Sequence, residues 1–131
     1  MCKPVFVFGS NEGGIHGAGA ALFAYKKKGA RFGKGYGHEG NSFAIPTKAA
    51  VDGAVGDTLS LERIQQYVAG FIAFAFGHPE MEFEVTRIGC GLAGLTDEQV
   101  APMFAGAPSN CLFDSQWHSI LGDTKRYWGT F

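Results

Sequence analysis

The feature that most constrains the fold is an apolar run that leads through a glycine-rich segment into a helical pattern. Residues 4–9 (PVFVFG) are continuously apolar and rich in β-branched and aromatic side chains, which is typical of a strand covered on both faces. Five of residues 9–19 are glycine. Residues 18–28 are rich in alanine and end in three lysines before Gly29, as helices often end. The sequence therefore predicts a central strand, a glycine loop and a helix in that order.

The same order recurs in the second half of the chain. Residues 82–89 alternate between apolar and polar side chains as a half-buried strand does, and glycines then recur over residues 89–94. Thr96 and Gln99 have the spacing of a capping box, so a helix is predicted to begin there. Pro102 is predicted to shorten or kink that helix, because proline removes a backbone donor.

The remaining patterns complete an α/β domain. Strands alternate with helices, which predicts a single three-layer α/β/α domain over residues 1–131 with a mixed, largely parallel sheet. Residues 114–131 are rich in aromatic side chains without a readable period, and we interpret them as a C-terminal extension. The other predicted elements are strands at residues 42–47 and 110–113, a helix capped by Ser60 and ending at Gly77, and loops at residues 29–41 and 48–57.

The composition favours one compact core and a small-molecule ligand. The 131 residues are 46% hydrophobic with a net charge of -1, so no excess of cations favours duplex nucleic acid or an acidic membrane surface. Three cysteines without a C-x-x-C pair indicate no disulfide framework, and we expect no metal and no cofactor. No apolar run approaches the roughly 18 residues of a membrane span. We expect a soluble, cytoplasmic protein, and the oligomeric state stays open.

Both glycine loops are placed to bind an anion. Ligands of open α/β sheets bind where strands end, and glycine lets backbone N–H groups approach a phosphate at a helix N-terminus. The first loop lacks the dinucleotide motif because Leu22 stands where its last glycine is required. It also lacks the P-loop, because Gly19 is followed by two alanines. The two loops together predict a diphosphate clamp, and the alternative is that the glycines serve only tight connections.

Three segments taken together resemble the macrodomain family. They are HGAGAALFAYKKKG at residues 16–29, SFAIPTK at residues 42–48 and TRIGCGLAGL at residues 86–95. The most similar branch contains enzymes that remove ADP-ribose from acidic side chains or from nucleic acid. Small phage-encoded macrodomain-like non-structural proteins look closer still over residues 5–104. The resemblance implies a small-molecule ligand of ADP-ribose type and, for a phage protein, a location in the host cytoplasm.

The resemblance also implies where that ligand would lie. Asn11 would lie near the distal ribose, and Lys48 matches a lysine that attacks the distal ribose carbon in the glycohydrolase branch. An aspartate assists that lysine in the family, and Ala93 stands in its place here. The aspartate that usually reads the adenine, ahead of the first strand, is also missing. The implied diphosphate-binding residues are Gly17, Ala18 and Gly19 on one side, and Gly89, Cys90, Gly91, Leu92 and Ala93 on the other.

Two further side chains are candidates for chemistry. His16, beside the first loop, could donate to a phosphate or protonate a leaving group, and a loop histidine without function is the alternative. Cys90 precedes a predicted helix and could have a lowered pKa. A small buried side chain is the interpretation we favour for Cys90.

These patterns rank three functions. Binding of ADP-ribose comes first, because Ala93 removes the carboxylate expected for catalysis. Hydrolysis of an ADP-ribosyl bond, using Lys48 or a water held by the loops, comes second, with Asp52 or Asp57 as conceivable substitutes for the aspartate. An accessory protein that acts through protein contacts comes third, and exposed tryptophans in the C-terminal segment would favour it.

Overall fold

The computed structural model describes residues 3–131, and these contain one mixed sheet. Its neighbour order is β2-β3-β1-β5-β6-β7, and β4 pairs with β3 as a hairpin. Four pairs are parallel (β1/β3, β1/β5, β5/β6 and β6/β7) and two are antiparallel (β2/β3 and β3/β4), so the predicted mixed, largely parallel sheet is confirmed. The strands are β1 (Val5–Asn11), β2 (Gly37–Glu39), β3 (Ser42–Val51), β4 (Ala54–Thr58), β5 (Phe83–Val85), β6 (Cys111–Asp114) and β7 (Arg126–Gly129).

Helices cover both faces of the sheet. Successive side chains of a strand point to opposite faces, so β1 faces two cores. Val5 and Val7 pack in the core that contains α2, whereas Phe6 and Phe8 pack with the alanines of α1. This arrangement confirms the three-layer α/β/α architecture. The helices are α1 (Gly19–Lys27), α2 (Leu61–Gly77), α3 (Asp97–Val100) and α4 (His118–Leu121), with 3-10 turns at Ala101–Phe104 and Ser115–Trp117.

The predicted helix boundaries agree with the capping interactions. Ser60 Oγ accepts a hydrogen bond from Arg63 N at 3.2 Å and so caps α2. Thr96 and Gln99 form both hydrogen bonds of the predicted capping box at the start of α3. Pro102 shortens that helix as predicted, since the chain continues after Val100 only as a 3-10 turn.

None of the helices within residues 3–131 is long and apolar enough to cross a bilayer.

Two of the predicted loops contain strands. Residues 48–57, predicted as a loop, instead hold the end of β3 and most of β4. Asp52 and Gly53 connect these strands with φ values of 50° and 77°, which is the left-handed geometry of a tight hairpin turn. Residues 29–41 likewise contain the short strand β2, which pairs with β3 at the edge of the sheet.

The C-terminal segment belongs to the domain and is not an extension of it. Residues 114–131 begin inside β6 and add β7 to the sheet. Trp117 is fully buried in the main core, and Trp128 is half-buried with its Nε1 donating to Val85 O at 3.0 Å. Since neither tryptophan is exposed, the observation that would favour an accessory protein acting through this segment is missing from the structure.

The order of the strands brings the two glycine loops together. β1 and β5 are parallel neighbours in the centre of the sheet, and the loops follow their carboxyl ends. The chain leaves β1 through α1 on one face of the sheet and reaches β5 through α2 on the other. Because these two connections lie on opposite faces of the sheet, a crevice opens between them at the carboxyl ends of the strands. This is where α/β sheets bind ligands.

Candidate functional site

The first loop, residues 12–18, has its shape set by its own hydrogen bonds and by close packing. Asn11 closes it, because its Nδ2 donates to Ile15 O at 2.8 Å and its Oδ1 accepts from Ile15 N at 2.9 Å. Gly14 has a φ of +68°, and a Cβ there would overlap the backbone of Gly33. Only glycine fits this position. The Asn11 side chain therefore serves the loop, although the residue also lines the cleft described below.

A charged cluster fastens the first loop to α2. Tyr67 donates its hydroxyl hydrogen to Glu12 Oε2 at 2.5 Å, and Arg63 Nε donates to the same oxygen at 2.8 Å. These two donors lower the pKa of Glu12 from its usual value. This cluster could not be predicted from the sequence, because Glu12 is more than 50 positions from both partners and no local pattern connects them.

The N-terminus of α1 has no hydrogen-bond acceptor within residues 3–131. Its N-cap residue, Ala18, makes no side-chain hydrogen bond, and the first turn contains no acidic residue. Within residues 3–131, the N–H groups of Gly19, Ala20 and Ala21 have no protein acceptor. A helix N-terminus carries about half a positive elementary charge, so these donors are suited to an anion.

The second loop, residues 89–94, presents further backbone donors. Gly89 and Gly94 have φ values of +78° and +75°, which favour glycine, and Leu95 N donates to Gly89 O at 2.8 Å to close the loop. Thr58 Oγ1 donates to a carbonyl of this loop at 2.8 Å and joins it to β4. Three consecutive N–H groups of the loop have no acceptor among residues 3–131: those of Gly91, Leu92 and Ala93.

The two loops form the walls of one cleft at the carboxyl ends of the central strands. Its volume is about 490 Å³, which lies within the range of small-molecule sites. The structure brings ten of the eleven candidate residues together here: Asn11, Gly17, Ala18, Gly19, Lys48, Gly89, Cys90, Gly91, Leu92 and Ala93.

The charged side chains of the cleft are positive. Lys48 lies on β3 beside the end of β1, and Arg87 lies beside the second loop. No aspartate or glutamate of residues 3–131 lines the cleft. Asp52 and Asp57 belong to the β3–β4 hairpin and are not among the lining residues, so neither takes the place of the aspartate that Ala93 replaces.

Arg87 also holds the base of the second loop against α3. Its Nε and Nη2 donate to the two carboxylate oxygens of Asp97 at 2.8 and 2.7 Å, and Trp117 Nε1 donates to Asp97 Oδ1 at 2.8 Å. The Arg87 guanidinium and the Trp117 donor lower the pKa of Asp97 to about 2. A bidentate pair of this kind fixes geometry as well as charge.

Cys90 does not have the lowered pKa that its position before a helix suggested. Burial raises the pKa of its thiol to about 12, and the nearby Asp97 carboxylate adds to the increase. Its Sγ lies 3.6 Å from Ile88 O. The thiol is therefore protonated near neutral pH. The favoured interpretation was a small buried side chain, and the structure shows Cys90 half-buried and packed against the main core.

His16 is the candidate that lies outside the cleft. It is fully buried, with Nδ1 2.9 Å from Ser10 Oγ and Nε2 2.8 Å from Arg31 O. Burial lowers the pKa of this imidazole. Both ring nitrogens are occupied by protein atoms, so the predicted contact with a phosphate does not form here, and His16 instead holds the loop that follows α1.

Several residues that line the cleft were not predicted from the sequence. Thr47 Oγ1 and Thr86 Oγ1 donate to backbone carbonyls of β1, which ties the neighbouring strands together at the floor of the cleft. Val55 and Phe131 add apolar surface to its walls. Val55 lies on the hairpin that was predicted as a loop, and Phe131 is 37 residues or more from both loops, so local patterns contain no signal for them. No group of three or more metal-ligating side chains occurs within residues 3–131.

Comparisons with known proteins bear on the fold alone. No protein-family model and no curated protein matches the chain. Among solved structures, it is similar to a protein of unknown function from Bacteroides thetaiotaomicron, with 20% sequence identity and a TM-score of 0.53. The match covers 79% of this chain and 80% of the other. At this level of identity, the similarity supports the α/β architecture.

Proposed function

We propose that the cleft binds ADP-ribose or a related nucleotide diphosphate-ribose, with the diphosphate between the two loops. The observation that carries the proposal is the pair of facing donor sets: the free N–H groups at the start of α1 and those of Gly91, Leu92 and Ala93. Phosphate oxygens accept hydrogen bonds from such groups, and a helix N-terminus favours their negative charge. The described lining residues include no aspartate or glutamate, which supports an anionic ligand further.

The walls beyond the donors suit the rest of such a ligand. Leu92, Val55 and Phe131 line the cleft with apolar surface, and Phe131 and Leu92 are 56% and 73% exposed. Ligand sites combine an apolar lining with a few polar groups that fix orientation, as these walls do. The nucleoside and the distal ribose would lie against this surface on either side of the diphosphate.

Hydrolysis of an ADP-ribosyl bond is the second candidate, and Lys48 is the residue that favours it. Its position on β3, beside Asn11 at the end of β1, is within the cleft. A lysine nucleophile must lose its proton to attack, and a neighbouring base usually takes it. The described lining residues include no aspartate or glutamate side chain that could do so. We therefore rank binding above hydrolysis.

Calorimetric titration with ADP-ribose tests the binding proposal. The wild-type protein should release or absorb heat with a one-to-one end point, and ADP should bind more weakly than ADP-ribose. Gly91→Glu should weaken binding by about 100-fold or more, because a carboxylate beside the diphosphate is a like-charge contact. A Cβ at Gly91 meets no atom within 4 Å and its φ is not left-handed, so the variant should fold. An absence of heat with the folded wild-type protein would overturn the proposal.

Gly106→Glu is the matched control. Gly106 is an exposed glycine with the same open surroundings and no left-handed φ, and it lies outside the cleft. It should bind ADP-ribose as the wild-type protein does. Equal losses in both variants would show that the added charge acts at long range, and the assignment of the second loop would be wrong.

Lys48→Ala separates binding from hydrolysis. The wild-type protein is incubated with ADP-ribosylated protein and DNA, and released ADP-ribose is measured by mass spectrometry. If the wild-type protein releases ADP-ribose and the Lys48→Ala variant does not, hydrolysis is established. If the variant still binds ADP-ribose and neither protein releases product, the function is binding alone.

A further inference from the structure

The positive charge of this protein is concentrated in one short segment. Five of the eleven Lys and Arg residues lie within residues 26–34, and no acidic residue occurs between Glu12 and Glu39. The rest of the chain therefore has an excess of negative charge, because the net charge is -1. The five cations are Lys26, Lys27, Lys28, Arg31 and Lys34.

None of these five cations forms a salt bridge within residues 3–131. By contrast, Arg63, Arg87 and Arg126 each pair with a carboxylate. The helix dipole accounts for lysines in the last turn of α1. It does not account for Arg31 and Lys34, which lie in the loop beyond the helix and are exposed. Unpaired cations that no carboxylate neutralises are available to an external anion.

Exposed aromatic rings lie among the cations. Phe23, Tyr25 and Phe32 are 36%, 46% and 51% exposed. Tyr25 on α1 and Phe32 on the following loop meet edge to face, with centroids 4.6 Å apart at 79°. Lys28 Nζ lies 6.0 Å from the centroid of Phe23. Aromatic side chains of this size are usually buried, so their exposure here needs an explanation.

The loop that carries Arg31 and Phe32 is held in place by the protein. His16 Nε2 lies 2.8 Å from Arg31 O, and Gly33 N donates to Gly14 O at 3.0 Å. Phe32 also packs on the buried His16 ring, with centroids 5.6 Å apart. The backbone that carries Arg31 and Phe32 is therefore fixed, which lowers the entropic cost of binding a partner.

We propose that this basic aromatic surface, formed by Tyr25, Phe32 and the five cations of residues 26–34, binds single-stranded nucleic acid. Cations track a phosphate backbone while unpaired bases stack on aromatic rings, and neither contact requires a particular sequence. A duplex keeps its bases stacked inside and offers nothing to the rings. A membrane surface is the less suitable partner, because α1 buries its alanines against the sheet and exposes only two large apolar side chains, Phe23 and Tyr25.

The surface is separate from the cleft. The N-terminus of α1 lines the cleft, whereas Tyr25 and the lysines lie at its other end, about 10 Å further along a helix that rises 1.5 Å per residue. The inference therefore does not depend on ADP-ribose binding, and the two are tested by different ligands.

Fluorescence anisotropy with a labelled oligothymidylate of about 12 nucleotides tests the inference at low salt. We expect dissociation constants in the micromolar range and a log–log salt slope of up to about -3.5 if all five cations contact phosphate. Lys26→Gln/Lys27→Gln should make that slope shallower by about 1.4.

Tyr25→Ala/Phe32→Ala should weaken binding by about tenfold or more through lost stacking. Because Phe32 packs on His16, Tyr25→Ala alone serves as a second variant with less effect on folding.

Lys125→Gln/Arg126→Gln is the matched control, since it removes the same charge at β7, three strands from β1. It should bind the oligonucleotide as the wild-type protein does. A wild-type protein that binds no oligonucleotide at low salt would overturn the inference, as would equal weakening in the control and in both sets of variants. Tighter binding to the matching duplex, or binding only to phosphatidylserine vesicles, would also overturn it in favour of those partners.

Discussion

The two glycine loops of the cleft are built in opposite ways. The first is fastened at many points: Asn11 closes it on itself, Gly14 packs against a neighbouring loop, and Glu12 ties it to α2. The second is fastened mainly at its ends, and between them Leu92 is 73% exposed. Gly14 thus serves close packing in the first loop, whereas Gly91 leaves room for a ligand in the second.

The two loops show that glycine can be required at a position for two different physical reasons. A Cβ at Gly14 would overlap backbone atoms, whereas a Cβ at Gly17 or Gly91 would meet no atom within 4 Å. The open glycines lie beside the free N–H groups. We infer that the packed glycines determine stability and that the open glycines determine what enters the cleft.

Gly14→Ala should have the largest effect on stability. The left-handed φ and the overlap with the backbone of Gly33 cannot both be relieved without moving the first loop, so we expect a loss of about 3 kcal/mol or more. Gly91→Ala should change the free energy of unfolding by less than about 0.5 kcal/mol. Urea denaturation of both variants measures the difference. Similar losses in the two variants would remove the distinction between packed and open glycines.

Asp97→Asn should have the next largest effect, because it leaves Arg87 partly buried without its carboxylate. We expect a loss of about 2 kcal/mol at pH 7. The pKa of Asp97 is lowered to about 2 from 3.8, so the pair stabilises the fold above the unfolded-state pKa and loses this contribution as pH falls from about 4 to 2. Denaturation measured across that range should show a shallower pH dependence in the variant. An unchanged dependence would contradict the assigned role.

Glu12→Gln should reduce stability by less than either Gly14→Ala or Asp97→Asn. Its carboxylate is a quarter exposed and its partner Arg63 is more than half exposed, so solvent screens the pair and we expect a loss of about 0.5–1 kcal/mol. The pKa of Glu12 is lowered, so this contribution too is present above the unfolded-state pKa and is lost at acidic pH. Thermal unfolding at pH 7 checks the ranking. A larger loss than that of Asp97→Asn would mean that the first loop carries more of the stability than the second.

Elements whose signal is local could be predicted from the sequence. The continuous apolar run of β1 marks a strand with both faces covered, and α2 has a cap at Ser60 and a periodic apolar face, so both appear where expected. The hairpin of β3 and β4 was missed because β4 is mostly exposed and has no buried alternation. β2 and β7 are short edge strands whose pairing depends on distant partners. Local pattern carries no information about such pairing.

The cleft could be predicted in part for the same reason. The glycines that line it mark the loops directly, and the order of strand, loop and helix placed both loops at strand ends. The position of His16 could not be predicted, because its partner Arg31 is provided by a loop 15 residues away. The raised pKa of Cys90 likewise depends on burial and on Asp97, which only the folded chain brings near.

The most direct test of the account follows the backbone amides of the two loops by ¹⁵N–¹H NMR during titration with ADP-ribose. The proposal predicts the largest shifts at the free N–H groups of Gly19–Ala21 and Gly91–Ala93, with saturation at one equivalent. The amides of Gly14 and Gly33, which pack outside the cleft, should move little. Saturable binding that shifts other amides and leaves both donor sets unmoved would contradict the account.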